Sequence, residues 1–190
     1  MDARTRGLRT FLDRGGLIAY PTRAVYGLGC APENHRALRA LLRLKSRPVD
    51  KGLIVVAASR DLLRRFHAPL SAAEEARLQA RWPGAHTWLV PARRPLTTWL
   101  RGRRRGFGGD FRPRIALRQD DYGPLVRLCR RLNRALVSTS ANRSGGKPLK
   151  TARACRLAFG PRVRVIEGRC QANARPSTVA DLMTGRITRV

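Results

Sequence analysis

Apolar positions along this chain follow two rhythms, one of helical spacing and one of short unbroken runs. Leu8, Phe11 and Leu12 fall three to four residues apart between Thr5 and Asp13, predicting a helix that Gly15-Gly16 ends. Leu17 to Tyr20 is a short apolar run and predicts a strand closed by Pro21, after which Pro21 to Cys30 reads as a loop with two glycines. Leu38, Leu41 and Leu42 share one face of a helix from Asn34 to Leu44. Leu53 to Ala57 is continuously apolar, as expected of a strand buried on both faces. Ser59 and Ser71 read as helix N-caps, with Glu74 completing a capping box at Ser71, and these helices extend to Phe66 and Trp82. Further strands are expected at Thr87 to Val90, Ile115 to Arg118, Ala135 to Val137, Val163 to Ile166, Ser177 to Met183 and Ile187 to Val190. Helices are expected from Pro124 to Leu132, with Leu125, Leu128, Cys129 and Leu132 inward, and after Thr151. Short strands alternating with helices predict one layered domain over residues 1–190, built on a mixed sheet.

Charge changes the picture more than length does. The chain of 190 residues carries a formal net charge of +28, with 40 basic residues against 12 acids. Only Lys45, Lys51, Lys147 and Lys150 are lysines. Such an excess predicts affinity for polyanions, nucleic acid first and an acidic small substrate such as a nucleotide second, or a bias toward arginine in the coding sequence. It says nothing of the fold. Cys30, Cys129, Cys155 and Cys170 lack the close spacing of a metal knuckle or redox pair, and read as reduced thiols of a cytosolic protein. The N-terminus has no apolar signal segment, and no apolar run is long enough to span a bilayer.

Two stretches carry candidate chemistry. In Ala135 to Gly146, Ser138, Thr139, Ser140 and Asn142 follow an apolar strand, where α/β sheets bind polar ligands. Lys45, Arg47 and Lys51 form a second cluster: three cations so close repel one another unless they face solvent or an anion. A Walker A loop is absent, since Gly146-Lys147 is followed by Pro148 and position 141 is Ala141. A serine nucleophile is also unsupported, because no Gly-x-Ser-x-Gly elbow occurs. The loop from Arg93 to Arg114, with Arg101, Arg103, Arg104 and Arg105 and the aromatics Trp99, Phe107 and Phe111, could hold an RNA backbone or be a mobile surface loop.

Five segments in order resemble the YrdC-like family of L-threonylcarbamoyladenylate synthases, in its short bacterial form. They are Tyr20-Pro21-Thr22 with Val25 to Gly29, Lys45-Ser46-Arg47-Pro48, Trp82-Pro83-Gly84, Ser138 to Asn142 with Ser144-Gly145, and Pro176-Ser177-Thr178 with Asp181-Leu182. The resemblance implies an α+β fold in three layers, a twisted mixed sheet flanked by helices around a basic concave cavity. It implies that L-threonine, bicarbonate and ATP are joined into threonylcarbamoyl-AMP and pyrophosphate, with Mg2+ on the ATP phosphates. A threonylcarbamoyl transferase complex would then modify tRNA beside the anticodon. Binding of tRNA or double-stranded RNA is implied as well. A non-catalytic RNA-binding or ribosome-maturation factor is the competing reading.

By the same resemblance, Lys45 and Arg47 are the catalytic cations, and with Lys51 they hold the triphosphate. Ser140, Asn142, Arg175 and Arg189 would contact the nucleotide, and Thr22, Arg118, Ser138, Thr139 and Ser177 would bind threonine, Arg118 through its carboxylate. No protein side chain is assigned to a metal. Arg23 and Ala24 depart from the family, which often has an acid and a threonine there. Val56 stands where longer relatives place a histidine, and takes no role.

Overall fold

The computed structural model describes residues 2–103, 110 and 112–189. Seven helices form among them: α1 (Ala3–Asp13), α2 (His35–Lys45), α3 (Asp61–Arg64), α4 (Ala72–Gln79), α5 (Thr98–Arg101), α6 (Gly123–Leu132) and α7 (Ala152–Phe159). Their starts follow from capping chemistry. The side chains of Asp2, Asn34, Ser71 and Thr151 each accept from a backbone N–H of the first turn, and Ser71 with Glu74 closes the expected capping box. Ser59 does not cap: α3 begins after Arg60, with no side-chain cap. α3 and α4 also end before Phe66 and Trp82, although both residues are buried in the core.

Nine strands make one sheet: β1 (Ile18–Pro21), β2 (Tyr26–Gly29), β3 (Ile54–Ala57), β4 (His86–Pro91), β5 (Arg114–Gln119), β6 (Leu136–Ser140), β7 (Arg164–Val165), β8 (Thr178–Asp181) and β9 (Ile187–Arg189). The spatial order is β7-β1-β2-β6-β3-β5-β4-β8-β9, with parallel pairs β1/β7, β3/β5 and β4/β8 and antiparallel pairs elsewhere. One face packs on α2 and α7 through Leu38, Leu41, Cys155 and Phe159. The other is covered by α1 and α6, where Leu12, Leu125, Cys129 and Leu132 meet Ile18, Tyr20, Val56 and Leu136. That makes three layers around a mixed sheet. This cover stops at β3. Beyond it, Leu89, Ala116 and Val179 with Ile54 form only a small apolar floor, leaving a hollow.

Two expectations fail here. Tyr26 to Gly29 is a strand, paired on one side with β1 and on the other with β6, and not a loop. Glycine normally argues against a strand, but here neighbours take the space a side chain would occupy: the Val137 carbonyl and the Tyr20 ring at Gly29, and Thr22 at Gly27. A Cβ on Gly29 would lie 2.9 Å from the Tyr20 ring and 2.0 Å from the carbonyl oxygen of Val137; one on Gly27 would lie 2.9 Å from Thr22 Cγ2. The Tyr20 hydroxyl donates to the Val137 carbonyl at 2.7 Å. Likewise β6 does not end at Val137 but runs through Ser140, so the expected hydroxyl loop is itself the end of a strand.

Candidate active site

The hollow is a cavity of about 310 Å³ at the edge of α6's cover, large enough for a small polar substrate. Its floor is a cross-strand row, Ser138 beside Ile54 beside Ala116, set by the register of β6, β3 and β5. Strand ends supply the polar wall. Ser138, Thr139 and Ser140 come from β6, Arg118 from β5, Ser177 from just before β8, and Thr22 from the turn between β1 and β2. Arg23, Arg47, Arg175 and Arg189 complete a strongly cationic lining in which Asp120 is the single acid.

The cations are placed by different means. Arg118 is 8% exposed; its Nε donates to Asp120 Oδ2 at 2.6 Å, and no described residue accepts from its Nη atoms. Arg189 Nη2 donates to both the carbonyl and the hydroxyl of Ser177, at 3.1 and 3.2 Å, while the Ser177 hydroxyl meets that of buried Thr87 at 3.0 Å. Arg47 donates from Nε and Nη2 to the Gly52 carbonyl, at 3.1 and 3.0 Å. Burial holds Arg47 below the ordinary guanidinium range; burial, Arg118 and Arg47 do the same to Arg189. Three guanidinium groups lining one hollow, with one carboxylate among them, form a site built for anions.

The loop holding Arg47 is locked by close backbone packing. Gly52, at φ +57°, would put a Cβ 2.6 Å from the Arg101 carbonyl; Gly102, at φ +69°, would put one 2.4 Å from that of Asp50. Leu53 N donates to Leu100 O and Arg103 N to Asp50 O, at 2.8 and 3.0 Å. Glycine is required at both positions by conformation and by space.

Not every expected residue reaches the hollow. Thr22, Arg47, Arg118, Ser138, Thr139, Ser140, Arg175, Ser177 and Arg189 line it, but Lys45, Lys51 and Asn142 do not. Lys51 is exposed on a 3₁₀ turn. Lys45 is 3% exposed behind the β6 wall, where its Nζ donates to Ser140 O at 2.6 Å, Asn142 O at 2.7 Å and Asn142 Oδ1 at 3.2 Å. Ser140 Oγ donates to Asn142 Oδ1, and Asn142 Nδ2 to Gly146 O, each at 2.6 Å. Burial, and secondarily Arg47, push the Lys45 pKa down to about 8, while three oxygen acceptors favour its ammonium form. In this structure Lys45 fastens the end of α2 to the end of β6.

Arg23, the departure from the family pattern, lies at the cavity mouth. Its guanidinium pairs with Asp121, donates to Gln171 Oε1 at 3.1 Å and sits 5.8 Å from the centre of the Tyr122 ring. A segment from Ile166 to Gln171 runs beside it, held by the Tyr26 hydroxyl on Gly168 O at 2.7 Å and the Tyr122 hydroxyl on Arg169 O.

The arginine-rich stretch is less of a loop than expected. It contains α5, and Arg114 belongs to β5, fully buried against Asp181 at 3.0 Å and Asp110 at 2.7 Å. Arg112 also pairs with Asp110, so neither arginine is a spare cation. Arg101 turns back onto Leu96 O and Gly102 O, and Arg103 is exposed. Trp99 packs on the core with Arg39 5.3 Å from its ring centre. Arg104, Arg105, Phe107 and Phe111 lie outside the described residues. Cys30, Cys129, Cys155 and Cys170 are free thiols. Among the described residues no helix is long and apolar enough to cross a membrane.

Sequence reasoning missed Asp120, Asp121 and Thr87, which touch the cavity cations or the hydroxyl beside them. Asp120 had a visible signal, standing two residues beyond the last cation of a strand; Thr87 had none.

Known proteins resemble this chain in sequence and in fold. The family described as "Telomere recombination" (Sua5/YciO/YrdC) matches residues 10–190. A protein of Methylobacillus flagellatus named threonylcarbamoyl-AMP synthase is 48% identical over 186 residues, covering 98% of this chain and 99% of its own. One of the same name from Chromobacterium violaceum is 49% identical over 181 residues, covering 95% and 90%. The crystal structure of P. abyssi Sua5 complexed with L-threonine superposes with a TM-score of 0.79 at 25% identity, over 94% of this chain and half of that longer one. E. coli YciO shares the fold with a TM-score of 0.79 at 19% identity, over 98% and 88% of the two chains. Sequence, fold and cavity together show that the chain belongs to the Sua5/YciO/YrdC family.

Proposed function

We propose that this chain is a threonylcarbamoyl-AMP synthase, an enzyme of nucleotidyltransferase type that joins L-threonine, bicarbonate and ATP. The observation that carries the reading is the cavity in which Arg47, Arg118 and Arg189 meet the hydroxyls of Thr22, Ser138, Thr139, Ser140 and Ser177. Two relatives nearly half identical over almost their full length bear the name of this enzyme, and a threonine complex exists for a protein of the same fold.

The chemistry asks for no protein nucleophile. The threonine nitrogen attacks bicarbonate carbon and water leaves, giving a carbamate. A carbamate oxygen then attacks the α-phosphorus of ATP, and the bond to pyrophosphate breaks. The protein's task is to assemble three anions and stabilise the charge that moves to the leaving group. Arg118, which lines the cavity with both Nη atoms lacking a described acceptor, binds the threonine carboxylate; Thr22, Ser138, Thr139 and Ser177 surround the rest of that substrate. Arg47, Arg175 and Arg189 take the phosphates, and Ser140 the nucleotide. Lys45 and Asn142 act behind the wall by holding Ser140 in place, and Lys51 reaches the triphosphate from the rim. Magnesium comes with the ATP phosphates: among the described residues there is no metal-binding cluster, and Asp120 is already engaged by Arg118. Exposed Arg103, with Arg101 and the Arg104 and Arg105 that follow it in sequence, meets tRNA or double-stranded RNA. The adenylate passes to a threonylcarbamoyl transferase complex in the cytoplasm.

Purified protein given ATP, threonine and bicarbonate should release pyrophosphate in a threonine-dependent way. Arg47→Ala should lose most of it, since a charged hydrogen bond contributes about 1.5–3 kcal/mol. Arg47→Lys should also fail, because one ammonium cannot reproduce the fork. No threonine-dependent pyrophosphate from the wild type leaves the RNA-binding reading standing alone.

A further inference from the structure

We infer that Asp120 is a positioning residue that aims Arg118 at the amino-acid carboxylate, an inference that rests on the synthase reading. Asp120 is the single acid among the cavity-lining residues and is 4% exposed. An acid is out of place in a hollow that gathers carboxylate, bicarbonate and triphosphate, unless a cation needs it more than the substrates mind it. Arg118 is that cation. Its long side chain leaves β5 beside Val56, at the border between the packed sheet face and the hollow. There its head could lie in several rotamers.

Asp120 removes that freedom. Oδ2 accepts from Arg118 Nε at 2.6 Å, which fixes the plane of the guanidinium and leaves both Nη atoms without a described acceptor. The carboxylate is itself held from two sides. Oδ1 accepts from Tyr122 N at 2.9 Å, at the start of α6, and the Asp120 backbone N–H donates to Ala57 O at 3.0 Å, at the end of β3. Asp120 is therefore anchored to a strand and a helix, and passes that rigidity to Arg118. A guanidinium held by Nε presents its two Nη atoms as a ready fork for a carboxylate. The cost of ordering it is met on folding and not on binding.

The same carboxylate also supports the turn into α6, so the test must separate the two duties. Asp120→Ala removes both; Asp120→Asn keeps a single acceptor oxygen but loses the charge. Steady-state pyrophosphate release is measured for each, with threonine and ATP varied separately. Thermal unfolding and the Arg118 Nε–H resonance are recorded alongside. Positioning predicts that the threonine KM rises roughly tenfold or more in both variants, with the ATP KM within about twofold of wild type. The Arg118 Nε–H should lose its protection from exchange even without substrate. If Asp120→Ala does not fold, the Asn variant decides. The inference is overturned if the threonine KM stays near wild type in the folded variants. It is also overturned if the threonine and ATP constants worsen equally with a fall in melting temperature, which is the mark of a turn-capping role alone. Wild-type protein without threonine-dependent turnover overturns the synthase reading, and a protected Arg118 Nε–H lost in both variants would still establish the pairing.

Discussion

Replacing Asp181 by Asn tests how β5 and β8, the strands that carry Arg118 and follow Ser177, are fastened at the ends away from those residues. Asp181 and Arg114 are both fully buried, joined from Oδ2 to Nε at 3.0 Å. Asp181 Oδ1 also accepts from Met183 N and Thr184 N at 3.0 Å and Thr184 Oγ1 at 3.2 Å, so one carboxylate ties β5 to the turn after β8. Breaking a buried pair from one side costs about 3–5 kcal/mol, because the other charge remains in the interior. Here Arg114 retains Asp110 at 2.7 Å and the Arg112 carbonyl at 3.2 Å, which places Asp181→Asn at the lower end, about 3 kcal/mol. For a chain of this length that corresponds to a melting temperature lower by about 6–12 °C. The double variant Arg114→Met/Asp181→Asn removes both charges while an amide oxygen can still accept from Met183 and Thr184, and should recover much of the loss. Urea unfolding followed by circular dichroism measures all three proteins. A single variant as stable as wild type, or a double variant no better than the single one, would show that uncompensated charge is not the governing effect.

Other outcomes follow from the same geometry. Gly52→Ala forces a Cβ to within 2.6 Å of the Arg101 carbonyl at φ +57°, and should raise the ATP KM several-fold while leaving the threonine KM near wild type. Lys45, held at about 8 against an ordinary 10.5, keeps fewer protons folded than unfolded between those values. Its contribution should therefore make the protein more stable as pH rises there, by up to about 1.4 kcal/mol per pH unit. Comparing wild type with Lys45→Met across that range checks the sign, and a falling difference would mean that the three carbonyl acceptors outweigh burial. Neutralising Arg103, Arg104 and Arg105 together should flatten the salt dependence of RNA binding by about two units, with threonine-dependent turnover intact.

The layering was legible because burial leaves a rhythm: leucines at helical spacing announced α1, α2 and α6, and the continuous run before Ser59 announced β3. What stayed hidden were features decided between distant segments. Gly27 and Gly29 look like turn residues until Thr22, the Val137 carbonyl and the Tyr20 ring are found in the space their side chains would need. Arg114 looks like one more surface arginine until Asp181, far along the chain, is found beside it. The resemblance to known family motifs brought nine residues to one cavity but could not say that Lys45 and Asn142 would stand behind its wall. Motif residues share a neighbourhood in the chain, whereas side-chain direction is set by strand register.

The packing at Gly27 and Gly29 ties the two positions to different neighbours. At 29 the obstacle is the backbone carbonyl of Val137, so no change of side chain elsewhere makes room for a methyl group there. At 27 the obstacle is the Thr22 methyl, so a larger residue becomes admissible once position 22 has shrunk, and serine would do so while keeping the hydroxyl. Lineages should thus hold 29 fixed, and a tolerated methyl group at 27 in one of them should travel with a smaller residue at 22.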